Sequence, residues 1–94
     1  MKEIRLNGEK MFDKATTHAY LKQKLALPDY YGENLDALWD CVVSDFSLKK
    51  ITICNTGAMI EHLGSYGESI INLLEQAAEE NEYIKVDIER DNGM

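Results

Sequence analysis

Three short stretches of this 94-residue chain carry strand character, and every gap between them holds a helical pattern. That alternation constrains the fold more than any other feature of the sequence. Ile4 and Leu6 alternate with Glu3, Arg5 and Asn7 as in a half-buried strand, and Asn7-Gly8 marks a turn. Ile51 to Cys54 is more uniformly apolar, which suits the centre of a sheet. Ile84, Val86 and Ile88 alternate with Lys85, Asp87 and Glu89 in a third strand. Strands joined through helices run parallel by right-handed crossovers, so the expectation is an α/β domain with one three-stranded parallel sheet. The alternating outer strands predict that only one sheet face is thickly covered.

The helical segments can be placed from their punctuation. Between Asp13 and Leu25, His18, Leu21 and Leu25 fall on one stripe, with Lys14, Lys22 and Lys24 left to solvent, and Pro28 is expected to end that helix. Pro28 to Glu33 reads as a loop, after which Asn34 is a suitable N-cap for a helix running to about Ser44. Residues 57 to 63 read as a short turn or helix. Ser65 and Glu68 fit an S-x-x-E capping box, followed by the apolar face Ile70, Ile71, Leu73, Leu74, Ala77 and Ala78. No internal repeat appears, and residues 90 to 94 are expected to fray.

The length suits a single domain over residues 1–94 that buries about 60 to 70% of its unfolded surface. No apolar run approaches the roughly 20 residues of a membrane span, and the start MKEIRLNGEK lacks the apolar core of a signal peptide, so a cytoplasmic protein is expected. In that compartment Cys41 and Cys54, flanked by apolar neighbours, are expected to be buried free thiols. Acids outnumber bases 17 to 10, a net charge of -7 that argues against direct nucleic-acid binding and favours a basic partner. The imbalance is local. Residues 1 to 24 carry a net +3, whereas residues 25 to 84 hold eleven acids against Lys49 and Lys50, a net of -9. Such a block can steer a cationic partner, or simply solvate acidic helices.

The most informative segment is Leu27 to Asp45, LPDYYGENLDALWDCVVSD. On a helical wheel Leu35, Leu38, Cys41 and Val42 cluster toward the core. Asp36 and Asp40 lie one turn apart on another side, bordered by Trp39 and Val43. Like charges at that spacing destabilise a helix by about 0.2 to 0.5 kcal/mol, and no Lys or Arg in the helix offsets them. The loop adds Tyr30, Tyr31 and Glu33 around Gly32, a residue free to take backbone angles that others avoid. Aromatic rings among unpaired carboxylates suit docking to a cationic cleft. The pattern is equally compatible with Tyr30, Tyr31 and Trp39 as core residues.

This segment resembles the signature of the barstar family of intracellular ribonuclease inhibitors, through Leu27-Pro28, Tyr30-Tyr31-Gly32-Glu33-Asn34 and Leu35-Asp36-Ala37-Leu38-Trp39-Asp40-Cys41. Similarity extends to the Asn7-Gly8-Glu9 turn, the helix carrying His18, and more weakly the last helix and strand; residues 46 to 65 match poorly. The resemblance implies a barstar-like two-layer domain with a three-stranded parallel sheet packed against helices. It also implies 1:1 binding to a small, basic, secreted ribonuclease of the barnase type, whose active site is plugged by carboxylates in place of RNA phosphates. The family's prototype pair is itself a standard illustration of electrostatic steering, so steering here is inherited from the resemblance.

Carried over by position, Asp40 is the central anchor in the phosphate site and Asp36 pairs with a flanking cation. Tyr30 packs on a catalytic histidine. Tyr31, Gly32, Asn34, Leu35, Trp39, Val43, Ser44 and Asp45 complete the contacts, with Gln76 on the last long helix. Three positions depart from the family pattern. Asp45 replaces a tryptophan, Gln76 replaces a contacting glutamate whose place Glu75 or Glu79 would have to take, and Lys49-Lys50 replaces a proline before the central strand.

Other chemistries find little support. Asp36 and Asp40 come with no cue for a substrate cleft, so no enzyme activity is expected. His18 and His62 are far apart and lack the spacing of metal ligands, so neither a metal nor another cofactor is expected. His18 reads as a boundary or core histidine. Gly64-Ser65-Tyr66-Gly67 matches an RNA-binding GXXG loop in spacing only and reads better as a turn and cap. The expected activity is therefore ribonuclease inhibition by a chain that is monomeric when free, with no nucleic acid or membrane partner. The alternative is an acidic adaptor or immunity protein for a different basic nuclease or toxin.

Overall fold

A computed structural model of the chain describes residues 1–89; the expected fraying of 90–94 lies outside them. The first strand, β1 (Lys2–Asn7), leads through a 3-10 turn at Gly8–Lys10 into α1 (Lys14–Lys24). Then follow α2 (Leu35–Val43), β2 (Lys49–Cys54), α3 (Thr56–Leu63), α4 (Ser65–Glu80) and β3 (Ile84–Ile88). The strands lie in the order β1-β2-β3, all parallel, with Ile4 beside Ile51 and Ile51 beside Val86. The expected α/β class, the parallel pairing and the central place of Ile51–Cys54 are thus all present. Because the order is sequential, two right-handed crossovers put their helices on the same side. Burial agrees: Ile4, Leu6, Ile51, Ile53 and Ile84 are buried on the helix side, while Glu3, Arg5, Lys85 and Asp87 are exposed on the other.

The core is the apolar stripe of each helix closed on that face. Leu21 from α1, Leu38 and Val42 from α2, Met59 from α3, and Ile70, Ile71, Leu74 and Ala77 from α4 are all buried. No helix among the described residues is long and apolar enough to cross a membrane. Both cysteines are free, but half-buried rather than buried: Cys41 lies on the flank of α2, and Cys54 ends β2 with its Sγ 3.6 Å from the Leu6 carbonyl oxygen.

The expected bounds of the first helix, about Asp13 to Leu25, hold, but its end has another cause than expected, and α4 has another cap. The α1 helix ends before Pro28 acts, because Ala26 takes a left-handed conformation (φ 53°), with Leu27 N–H donating to the Lys22 carbonyl at 2.9 Å and Ala26 N–H to that of Gln23 at 3.4 Å. That is the Schellman arrangement, with proline just beyond it. At α4 the S-x-x-E capping box does not form. Ser65 lies inside the first turn, and the N-cap is Gly64 at φ 59° and ψ -133°, with no side-chain cap. One glycine must end α3 and start α4 at once, and that backbone geometry, which disfavours a Cβ, displaces the cap expected one residue later.

Candidate protein-binding face

The short helix α2 is positioned by its N-cap and by its apolar side. Asn34 Oδ1 accepts from the Ala37 N–H at 2.8 Å, and Asn34 Nδ2 donates to the Gly32 carbonyl at 3.1 Å, so one side chain both caps the helix and sets the last turn of the loop. The left-handed residue of that loop is Glu33 (φ 54°), not Gly32. Gly32 serves by its size, since a Cβ there would lie 3.3 Å from Asn34 Nδ2 and 3.4 Å from the Ala37 Cβ.

With Leu38 and Val42 turned into the core, α2 presents Asp36, Asp40 and Ser44 as an exposed ridge, with Leu35, Trp39 and Val43 half-buried along one side. Ser44 Oγ donates back to the Asp40 carbonyl. Among the described residues neither Asp36 nor Asp40 is in an ion pair, whereas Asp45 is. The ridge has a groove on each side. One, about 330 Å³, lies between α2 and α4 and brings Leu35, Asp36 and Trp39 together with Leu73 and Gln76. The other, about 230 Å³, is lined by Pro28, Tyr30, Cys41, Ser44 and Asp45. Tyr30 is 87% exposed, an aromatic ring offered to solvent at the rim.

Tyr31 and Asp45 occupy different surroundings from the other predicted site residues. Tyr31 is buried, and its hydroxyl oxygen lies 2.6 Å from His18 Nδ1. Burial pushes its phenol far above the ordinary value, so it stays neutral. The Asp45 carboxylate pairs with the buried Lys49 ammonium and accepts from Ser47 N–H at 3.0 Å and Ser47 Oγ at 2.7 Å. Burial alone would raise its pKa, but the Lys49 and Ser47 hydrogen bonds and the Lys49 charge together hold it below the usual carboxylate range. Its backbone carbonyl accepts from Asn81 Nδ2 at 2.7 Å, and the same amide donates to the Val42 carbonyl at 2.9 Å, so the end of α2 is tied to the turn before β3.

Gln76 stands in the groove beside Trp39, but Glu75 and Glu79 line a separate groove against β3 with Glu82 and Lys85. The sequence reading overlooked Ser69 and Asn72, which complete the wall of the α2–α4 groove; their spacing from Gln76 at i, i+3 and i+7 was the available signal. It also passed over Phe46, 72% exposed just beyond Asp45, with its ring 5.8 Å from that of Tyr83.

Comparison with known proteins agrees with this architecture. A family model described as "Barstar (barnase inhibitor)" matches residues 1–90. The chain is also similar to the protein named "Putative ribonuclease inhibitor YrdF" of Bacillus subtilis (strain 168), at 37% identity over 86 residues, covering 85% of this chain and 89% of that protein. A match over nearly the whole length, on a three-stranded parallel sheet carrying an acidic α2, establishes that the chain belongs to the barstar family.

Proposed function

We propose that this chain is a ribonuclease inhibitor that binds a small basic ribonuclease of the barnase type 1:1 and covers its active site with α2 and the loop before it. The coarser part, inhibitor rather than enzyme, is supported by the family and by the name of the Bacillus relative. One observation carries the finer part: Asp36 and Asp40 stand exposed one turn apart, outside any ion pair among the described residues, between an exposed Tyr30 and a half-buried Trp39. A helix that keeps two like charges together at a cost to itself recovers that cost when a cationic partner arrives. Arg and Lys side chains that normally hold RNA phosphates would meet carboxylates of the same charge sign, through short charge-assisted hydrogen bonds. Tyr30 and Trp39 supply area on either side of the ridge, and the α2–α4 groove receives part of the enzyme's rim. No covalent step is involved.

The test is a titration of a barnase-type ribonuclease with the protein, following RNA cleavage. Activity lost at one equivalent supports the reading. Undiminished cleavage at large excess overturns it for that enzyme and turns attention to another basic nuclease or toxin as the target.

A further inference from the structure

We propose that His18 is a positioning residue for the inhibitory loop, holding residues 28–34 in their binding geometry through Tyr31. The proposal rests on the reading of that loop as part of the ribonuclease-binding face. His18 lies on the inner side of α1, 1% exposed, and both ring nitrogens are engaged: Nδ1 is 2.6 Å from the Tyr31 hydroxyl and Nε2 is 2.6 Å from the Tyr66 hydroxyl. Three elements therefore meet at one imidazole: α1, the loop before α2, and the first turn of α4. A neutral imidazole has one donor and one acceptor, which two hydroxyls satisfy fully. Burial lowers its pKa and so favours the neutral ring, against a smaller opposing pull from Glu33; the Lys14 ammonium lies 4.6 Å from the centre of the Tyr66 ring.

A core filled only for stability does not need this arrangement. Apolar residues of similar volume would bury the same area without desolvating three polar groups. What the triad adds is direction, because a short buried hydrogen bond fixes where Tyr31 sits in a way that packing alone does not. Between Asp29 and Asp36, Tyr31 is the one buried residue. Besides the bonds of Asn34 to the first turn of α2, from Ala37 N–H at 2.8 Å and Leu38 N–H at 3.0 Å, the loop's other hydrogen bonds among the described residues are an internal one from Tyr31 N–H to the Pro28 carbonyl at 2.9 Å, the Asn34 bond to Gly32, and a long contact of 3.4 Å from Lys22 Nζ to the Asp29 carbonyl. Tyr30, next in the chain and 87% exposed, takes its position from the anchored Tyr31. A loop ordered in advance does not have to be ordered at the moment of binding.

Tyr31→Phe keeps the ring in the core and removes only the hydroxyl. In the free protein it is expected to speed amide exchange at Tyr31 by about fivefold while leaving the buried amides of α4 unchanged. In the complex it is expected to raise the dissociation rate about fivefold with little effect on association, and this loss should be non-additive with Tyr30→Ala but additive with Gln76→Ala. The two ring nitrogens can also be separated: an Asn amide reaches about as far as Nδ1 and a Gln amide about as far as Nε2, so His18→Asn should largely keep the loop fastened, whereas His18→Gln, which holds Tyr66 instead of Tyr31, should reproduce the loop effect. Unchanged loop exchange in Tyr31→Phe, or equal coupling to Tyr30 and Gln76, would overturn the positioning role and leave His18 a core residue. A wild-type chain that fails to inhibit overturns the reading of the face instead, and the exchange measurement then decides the anchor alone.

Discussion

Asp40 and Asp45 are five residues apart and have opposite surroundings. Asp40 is exposed and outside any ion pair among the described residues, while Asp45 is paired with a Lys49 side chain that is only 9% exposed. Asp40→Ala is therefore expected to cost at least about 2 kcal/mol of enzyme binding, as for a central hot spot, with almost no change in stability. Asp45→Ala is expected to do the reverse, leaving binding nearly intact and destabilising the fold by about 3 kcal/mol, because it strands a buried ammonium. Calorimetric binding and urea unfolding of both variants separate the two roles; a stability loss in Asp40→Ala equal to that in Asp45→Ala would refute the assignment. The pH dependence carries the same sign. With its folded pKa depressed, Asp45 stabilises the fold above the ordinary carboxylate pKa of about 3.9, and that stability is lost as pH falls through the lower folded value. Helical spacing made Asp36, Asp40 and the capping Asn34 legible in the sequence. The inward Tyr31 and the paired Asp45 were not legible, because their partners, His18 and Lys49, are identified only once α1 and β2 are placed against the loops.

Elements were easier to read than their ends. Strand alternation and helix stripes report burial against a flat sheet, and burial is a property that periodicity carries directly. Ends depend on a few backbone angles, which is why α1 stops at a left-handed Ala26 and α4 starts at Gly64 instead of a Ser65 cap. The α3–α4 junction gives a sharp test. A Cβ at Gly64 would meet nothing within 4 Å, so any cost of Gly64→Ala is conformational, not steric, and about 1 to 3 kcal/mol is expected for a φ of 59° paired with a ψ of -133°. Ser65→Ala, which would cost about 1 kcal/mol had Ser65 been the cap, should stay within about 0.5 kcal/mol. Thermal or urea unfolding of the two single variants decides between the two starts of α4; the reverse ranking would restore the capping box.

At the scale of the whole molecule the question is which of its acids a partner feels, and the answer depends on salt. The protein measures 37 × 25 × 18 Å. At about 0.01 M salt the screening length is roughly 30 Å, so nearly all of the -9 carried by residues 25 to 84 acts on an approaching cation; at about 0.15 M it is roughly 8 Å, and only the acids nearest the contact act. In the proposed complex Asp36 and Asp40 belong to the contact, whereas Glu79 and Glu82 lie in the groove against β3 and not in the α2–α4 groove. Neutralising them, as Glu79→Gln with Glu82→Gln, should slow association at low salt, leave it unchanged at physiological salt, and leave dissociation unchanged at both. Asp36→Asn should slow association at both salts and speed dissociation as well, since it removes a contact in addition to a charge. Stopped-flow association with a basic ribonuclease at the two ionic strengths measures all of these rates. A flat salt profile for the unaltered chain would mean that the acidic block only keeps the helices solvated, and equal slowing by the Glu79 and Glu82 changes at both salts would place those residues inside the interface.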